Sequence, residues 1–172
     1  LCAFLFFALS FHGFYSRFAR VVTTVWPFSP ALRYVTVLVL LEGGAIPDAD
    51  FLAGLYDFLS EKDRRPLSDC LMVAAPLEVD YEIDVTYYIY QDFASTAQRV
   101  IKEAERAVDD YIKWQRQIRL DITPGELTHR LHSVPGIKRA EIRSPARDIV
   151  IDDRSISRMT AKTVSFGGLE EE

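Results

Sequence analysis

The sequence predicts an α+β fold of two small βαβ-type sheet units, each with helices packed on one side, and no doubly wound sheet. Runs rich in β-branched and apolar residues alternate with segments of helical spacing, in the order β-β-α-β and then β-α-α-β-β. The helical connections are too few to cover both faces of a doubly wound sheet. Pro76 falls between the two series, which places the units at 1–76 and 77–172.

The chain has 172 residues, of which 49 % are hydrophobic and 26 % charged, the composition of a folded globular protein. A domain of ~150 residues buries roughly 70 % of its unfolded surface, so stability requires no disulfide or metal. The net charge of −5 argues against a general nucleic-acid binder. Basic residues such as Lys138-Arg139, Arg154 and Arg158 are scattered and read as solvated faces and local ion pairs. Cys2 and Cys70 are far apart, with no CxxC or CxxH spacing, and read as two reduced, buried thiols.

The first unit opens with "LCAFLFFAL", an apolar run that ends at Ser10. It is shorter than the ~20 residues of a membrane-spanning helix. Residues 1–10 are therefore read as a buried helix that continues from an upstream part. β-rich runs at 18–25 and 33–41 follow, separated by Pro27 and Pro30 and ended by Gly43-Gly44. The near-continuous apolar character of "YVTVLVLL" predicts a central strand covered on both faces. Phe51, Leu52, Leu55, Phe58 and Leu59 recur at helical spacing, with Asp48 and Asp50 where the helix dipole favours negative charge. That helix is expected to end near Lys62, and "DCLMVAAP" reads as a short strand stopped by Pro76.

The second unit opens with the clearest alternation in the chain, "LEVDYEIDVTYYIY". Val79, Tyr81, Ile83, Val85, Tyr87 and Ile89 point to a core; Asp80, Glu82, Asp84, Thr86, Tyr88 and Tyr90 point away from it. The acidic half of the outer face is either wet or meets basic groups of a partner. Ser95 or Thr96 can cap a helix at about 95–117, whose apolar stripe runs from Ala97 through Val100, Ala104, Val108 and Tyr111 to Trp114. "TPGE" at 123–126 reads as a helix start, with Thr123 as N-cap, Pro124 at the first position and Glu126 reaching back. Pro135-Gly136 stops this helix, and strands are expected at 137–143 and 160–166, before Gly167-Gly168 and an acidic tail.

Sites for chemistry are sparse. Glu126, His129 and His132 can share a helix face, but Glu126 is explained by capping and no third strong ligand stands at motif spacing, so no metal site is assigned. Asp152-Asp153 and the alternating Asp80, Glu82 and Asp84 read as solvated carboxylates. There is no GxSxG, P-loop or GxGxxG, and no nucleophile with a placed base. No catalytic residue and no cofactor is expected. The stretch "RRPLSDCLMVAAP" at 64–76 reads as a joint: Arg64 and Arg65 follow a helix C-terminus, Pro66 prevents continuation, Ser68 or Asp69 makes a turn, and Leu71–Ala74 enters the sheet.

Four stretches together resemble the C-terminal part of baseplate J-like proteins, the wedge components of contractile-tailed phages and related tail-like particles. They are "FALS" with the later "VTVLVLLEGG", then "RRPLSDCLMVAAP", then "VDYEIDVTYYIY" with its long helix, and "ITPGELTHRLHSVPGIKRAEIRSP" with a late "GG" and acidic end. The likeness runs from about Phe4 to Gly168; the very apolar "CAFLFF" departs from it. The resemblance implies a structural role without catalysis or cofactor. Copies of the chain would form a ring around the tail axis, in contact with other wedge, hub and sheath-initiating proteins. Assembly would take place in the bacterial cytoplasm and the product would reside in the virion, with no nucleic acid or membrane as partner. Candidate interface residues are Tyr88, Tyr90 and Trp114, with Arg64 and Arg65 as groups that reach an acidic site on a neighbouring subunit. Two other readings come from the residues alone. One is a regulatory domain that binds a small ligand at a sheet edge; the other is a metal-dependent enzyme using Glu126, His129 and His132.

Overall fold

The computed structural model describes residues 18–29, 32–60 and 69–171, with side chains at 35–60 and 70–171. The expected first helix at 1–10, Cys2, His12, Pro30, Lys62 and the Arg64–Ser68 part of the joint lie outside the described residues. Backbone proximity divides the chain into two compact units, Leu1–Leu77 and Glu78–Glu172. The architecture is α+β, with a three-stranded sheet in each unit.

In the first unit, strands β1 (Phe18–Ser29) and β2 (Leu32–Leu41) pair antiparallel, and β3 (Asp69–Ala74) joins β2 in parallel. The β1 strand is longer than its sequence suggests because it carries Pro27 within it. The ladder shifts register between Pro27 and Ser29, as the missing N–H of proline requires. β2 is the middle strand, and every residue from Val35 to Leu40 is buried, as its continuous apolar run predicts. A parallel β2–β3 pair needs a crossover, and helix α1 (Ala49–Ser60) supplies it. Its start is fixed by Asp48, whose Oδ1 accepts a hydrogen bond from the Phe51 N–H at 2.8 Å. Leu55 and Leu59 then pack with Val35, Val37 and Val39. Each such fully buried side chain stabilises the fold by roughly 1.5–3 kcal/mol.

The second unit is built on β4 (Leu77–Tyr90), which lies between β5 (Ile137–Ser144) and β6 (Ser155–Glu170). β5 runs antiparallel to β4, with Tyr88 opposite Arg139 and Thr86 opposite Glu141. Contacts between β4 and β6 advance in the same direction along both strands: Arg158 meets Asp80, and Gly167 meets Tyr88. A 3₁₀ segment at Gln91–Thr96 leads into α2 (Ala97–Gln115), and α3 (Pro124–His132) follows. The inward residues of β4 from Tyr81 to Ile89 join Val100, Ala104, Val108 and Tyr111 of α2 and Leu127 and Leu131 of α3 in one core. Gly136 sits at φ +103°, and a Cβ there would stand 2.9 Å from the Phe93 ring. Only glycine serves both the backbone and the space at this stop.

Several boundaries differ from the sequence expectation. The last strand starts at Ser155 rather than 160 and runs through Gly167-Gly168 to Glu170. The segment before it is tied to the residues after α2: Ile149 bridges Ile122 and Ile151 is buried, and at the start of the strand Ile156 bridges Ile118. Neither Thr96 nor Thr123 caps its helix with its side chain. Thr96 donates its hydroxyl to the Phe93 carbonyl instead, and Glu126 is drawn forward to Arg130, with Oε1 2.8 Å from Nε. A charge-assisted bond to arginine outcompetes the capping interaction there.

Candidate functional site

The outward face of the second sheet gathers the residues that sequence patterning singles out. Strand pleating places Asp80, Glu82, Asp84, Thr86, Tyr88 and Tyr90 on it from β4. Arginines of the flanking strands meet them. Arg158 of β6 forks onto Asp80, with Nε–Oδ1 at 2.6 Å and Nη2–Oδ2 at 2.8 Å, and its Nη1 lies 2.7 Å from Glu78. Glu78 also accepts from Arg116 at 3.0 Å. Arg143 of β5 forks onto Asp84 at 2.9 and 3.0 Å and donates to the Thr86 hydroxyl. These hydrogen bonds hold the carboxyls of Asp80 and Asp84 below the usual range. The acidic face is thus met by basic groups of its own chain, while Glu82 stays exposed.

The aromatic end of β4 is arranged in the same way. The Arg139 guanidinium lies 3.7 Å from the Tyr88 ring centroid, and the same side chain binds Glu170 and Glu141. Its bonds hold the Glu170 carboxyl low. Lys138 lies 5.9 Å from the Tyr90 ring centroid. Tyr88 and Tyr90 are both half-buried. Trp114 is on α2, half-buried against the core, with the Tyr111 ring centroid at 6.1 Å and the Arg130 guanidinium at 4.7 Å. Trp114 is therefore held by α2 and α3, apart from the outward tyrosines. Arg64 and Arg65 lie outside the described residues.

Among the remaining candidates, Glu126 is occupied by Arg130, and His129 and His132 are exposed. Among the described residues, no three His, Cys, Asp or Glu side chains are grouped to hold a metal ion, and no helix is long and apolar enough to cross a membrane. Asp152 closes a tight turn by accepting the Arg154 N–H at 2.9 Å. Cys70 is a free, half-buried thiol. A cavity of about 300 Å³ opens at the ends of β4 and β6, lined by Tyr90, Gln91, Asp92, Glu170 and Glu171.

Two residues escaped sequence reasoning. Gln115 is fully buried, and its Nε2 donates to the carbonyls of Leu120 at 2.8 Å and Asp121 at 3.1 Å. Gly167 lets β6 approach Tyr88, because a Cβ there would lie 2.6 Å from the ring. Polarity hid the first; a glycine pair that reads as a terminator hid the second.

A family model described as Baseplate J-like protein C-terminal domain matches residues 81–166, half of the chain. The chain is 32 % identical over 144 residues to Baseplate protein J of Escherichia phage P2, covering 83 % of this chain and 47 % of that protein. It thus spans about half the length of this curated relative. A chain in a cryo-EM structure of the anti-feeding prophage (AFP) baseplate, 6-fold symmetrised, shares the fold with a TM-score of 0.50 and 14 % identity. That match covers 72 % of this chain and 29 % of the other. With half its residues matched by the family model, and with the paired β4 strand at the start of that match, the chain belongs to the baseplate J-like family.

Proposed function

We propose that this chain is a structural part of a baseplate wedge, which oligomerises into a ring around the tail hub of a contractile phage tail or a related injection particle. The observation that carries this reading is the extent of the likeness to Baseplate protein J. The 144 aligned residues are more than either unit holds, so the likeness takes in both. In this reading the chain does no chemistry. Its partners are its own copies and other wedge, hub and sheath-initiating proteins, and assembly takes place in the host cytoplasm.

The test is imaging of purified tail particles that carry a tag on this chain. Tags arrayed as a ring at the baseplate are the expected result. Particles that assemble with no tag at the baseplate would overturn the baseplate reading, and a single tag per particle would overturn the ring. The cavity at the ends of β4 and β6 favours a second reading, a regulatory domain for a small ligand. A metabolite screen that raises the thermal midpoint of the purified chain would support it.

A further inference from the structure

We infer that Arg119 is a contact residue, whose guanidinium is held out for a carboxylate on the protein that this chain packs against in the particle. The inference rests on the baseplate reading above and adds to it one contact and its chemistry. Arg119 lies in the turn after α2 at φ 61°, the one residue other than glycine with a positive φ among the described residues. That region crowds the side chain of an L-residue against its own main chain, and glycine or asparagine is its ordinary occupant. The turn does require the conformation. Ile118 on one side bridges Ile156, and Ile122 on the other bridges Ile149. The Arg119 N–H donates to the Ser155 carbonyl at 3.1 Å, and the buried Gln115 amide holds the carbonyls of Leu120 and Asp121. These contacts fix the backbone from both sides. Glycine would meet all of them without strain, and none of them uses an arginine side chain.

The guanidinium has no use within its own chain either. Arg119 is exposed and makes no ion pair among the described residues. Acidic neighbours are turned elsewhere: Asp121 accepts the Ile151 N–H at 2.8 Å, and Asp152, in the turn before Ser155, accepts the Arg154 N–H at 2.9 Å. By contrast, Arg116, Arg130, Arg143 and Arg158 of the same unit each hold a carboxylate. A residue kept in a costly backbone conformation that its surroundings over-determine marks a place where the side chain serves function. Arginine's planar fork matches a carboxylate through two parallel hydrogen bonds, as Arg143 and Arg158 match Asp84 and Asp80. Fixing the backbone in advance lowers the entropy lost when such a pair forms.

The test uses the full 172-residue chain with a tag, alone and in tail particles assembled alongside the untagged parent. Arg119→Gly removes strain and charge together. Arg119→Asn removes the charge but keeps a side chain suited to the left-handed turn, and Arg119→Lys keeps the charge. Alone, Arg119→Gly should raise the thermal midpoint by on the order of 4 °C. In particles, the tag content of the glycine and asparagine variants should fall roughly tenfold, as loss of a charge-assisted pair implies, and recover with lysine. A carbodiimide should join the new amine of Arg119→Lys, as an amide, to an aspartate or glutamate of another chain. Glycine and asparagine variants that enter particles like the parent, or an amine that links only within its own chain, would overturn the contact. So would a lower midpoint for Arg119→Gly, because the side chain would then serve the fold itself. A parent tag missing from the baseplate sinks the baseplate reading and the contact with it. A parent tag present there, with variants that match it, sinks the contact alone.

Discussion

A Cβ placed on Gly167 would stand 2.6 Å from Cε1 and Cζ of Tyr88. The ring has little freedom to yield, because the Arg139 guanidinium lies 3.7 Å from its centroid and is itself held by Glu170 and Glu141. Gly167→Ala should therefore destabilise the second unit by about 1–3 kcal/mol, the usual cost of overpacking. Tyr88→Ala removes the obstacle, so the double variant should lose less than the sum of the two single losses. Urea midpoints of the four proteins check this. Strict additivity would show that β6 does not rest on Tyr88.

The arginine pairs of the outward face predict the acid limb of stability. Hydrogen bonds from Arg158, Arg143 and Arg139 hold the carboxyls of Asp80, Asp84 and Glu170 low, and the Ser155 hydroxyl does the same for Asp152. Such groups bind fewer protons folded than unfolded. Their contribution is complete above the ordinary carboxylate range near pH ~4 and is lost as pH falls through the lower folded values. The urea midpoint should drop on acidification below pH ~4, and less steeply in high salt, which screens exposed pairs. Arg158→Gln should make the drop shallower. An unchanged acid limb in that variant would mean that the Asp80 pair does not couple to folding.

This outward face shows where the sequence was legible and where it was not. The alternation from Val79 to Ile89 is local, and the burial of β4 follows it residue for residue up to Ile89, with Val79 half-buried. The α2 stripe is legible for the same reason: Val100, Ala104, Val108 and Tyr111 are all buried. The partners of Asp80 and Asp84 stand 78 and 59 residues away, and no local period points to them. The start of β6 was hidden because Ser155 and Ser157 are polar yet buried; Ser157 donates its hydroxyl to the main-chain carbonyl of Gln115 at 2.9 Å. Glu126 fits a capping box by spacing, but the spacing to Arg130 fits an ion pair equally well, and the stronger bond is formed.

Buried phenols predict the alkaline limb. Burial pushes Tyr81 and Tyr87 up to about 12, and Tyr111 upward as well. Between the ordinary phenol value near pH ~10 and these folded values, the unfolded chain has released protons that the folded chain keeps. Stability should be complete below pH ~10 and should fall as pH rises towards 12. Phenolate absorbance from these rings should then appear together with loss of the fold. Tyr87→Phe removes one such group and should flatten the fall. Phenolate absorbance from all three rings in a still folded chain would contradict their burial.

Gln115 supports the sharpest single-residue prediction. Its Nε2 supplies donors to the Leu120 and Asp121 carbonyls, which ties the end of α2 to the following turn, while its main-chain carbonyl accepts from the Ser157 hydroxyl of β6. Asp121 continues the junction by accepting the Ile151 N–H at 2.8 Å. Gln115→Ala leaves both carbonyls without that donor and should cost about 1–3 kcal/mol. Gln115→Glu keeps the size but sets a carboxylate against two carbonyl oxygens. Only its protonated form can donate, so the variant should be less stable than Gln115→Ala at neutral pH and should recover part of the loss on mild acidification. Thermal midpoints of both variants at the two pH values decide it. If the glutamate variant matches the parent at neutral pH, the amide does not hold this turn.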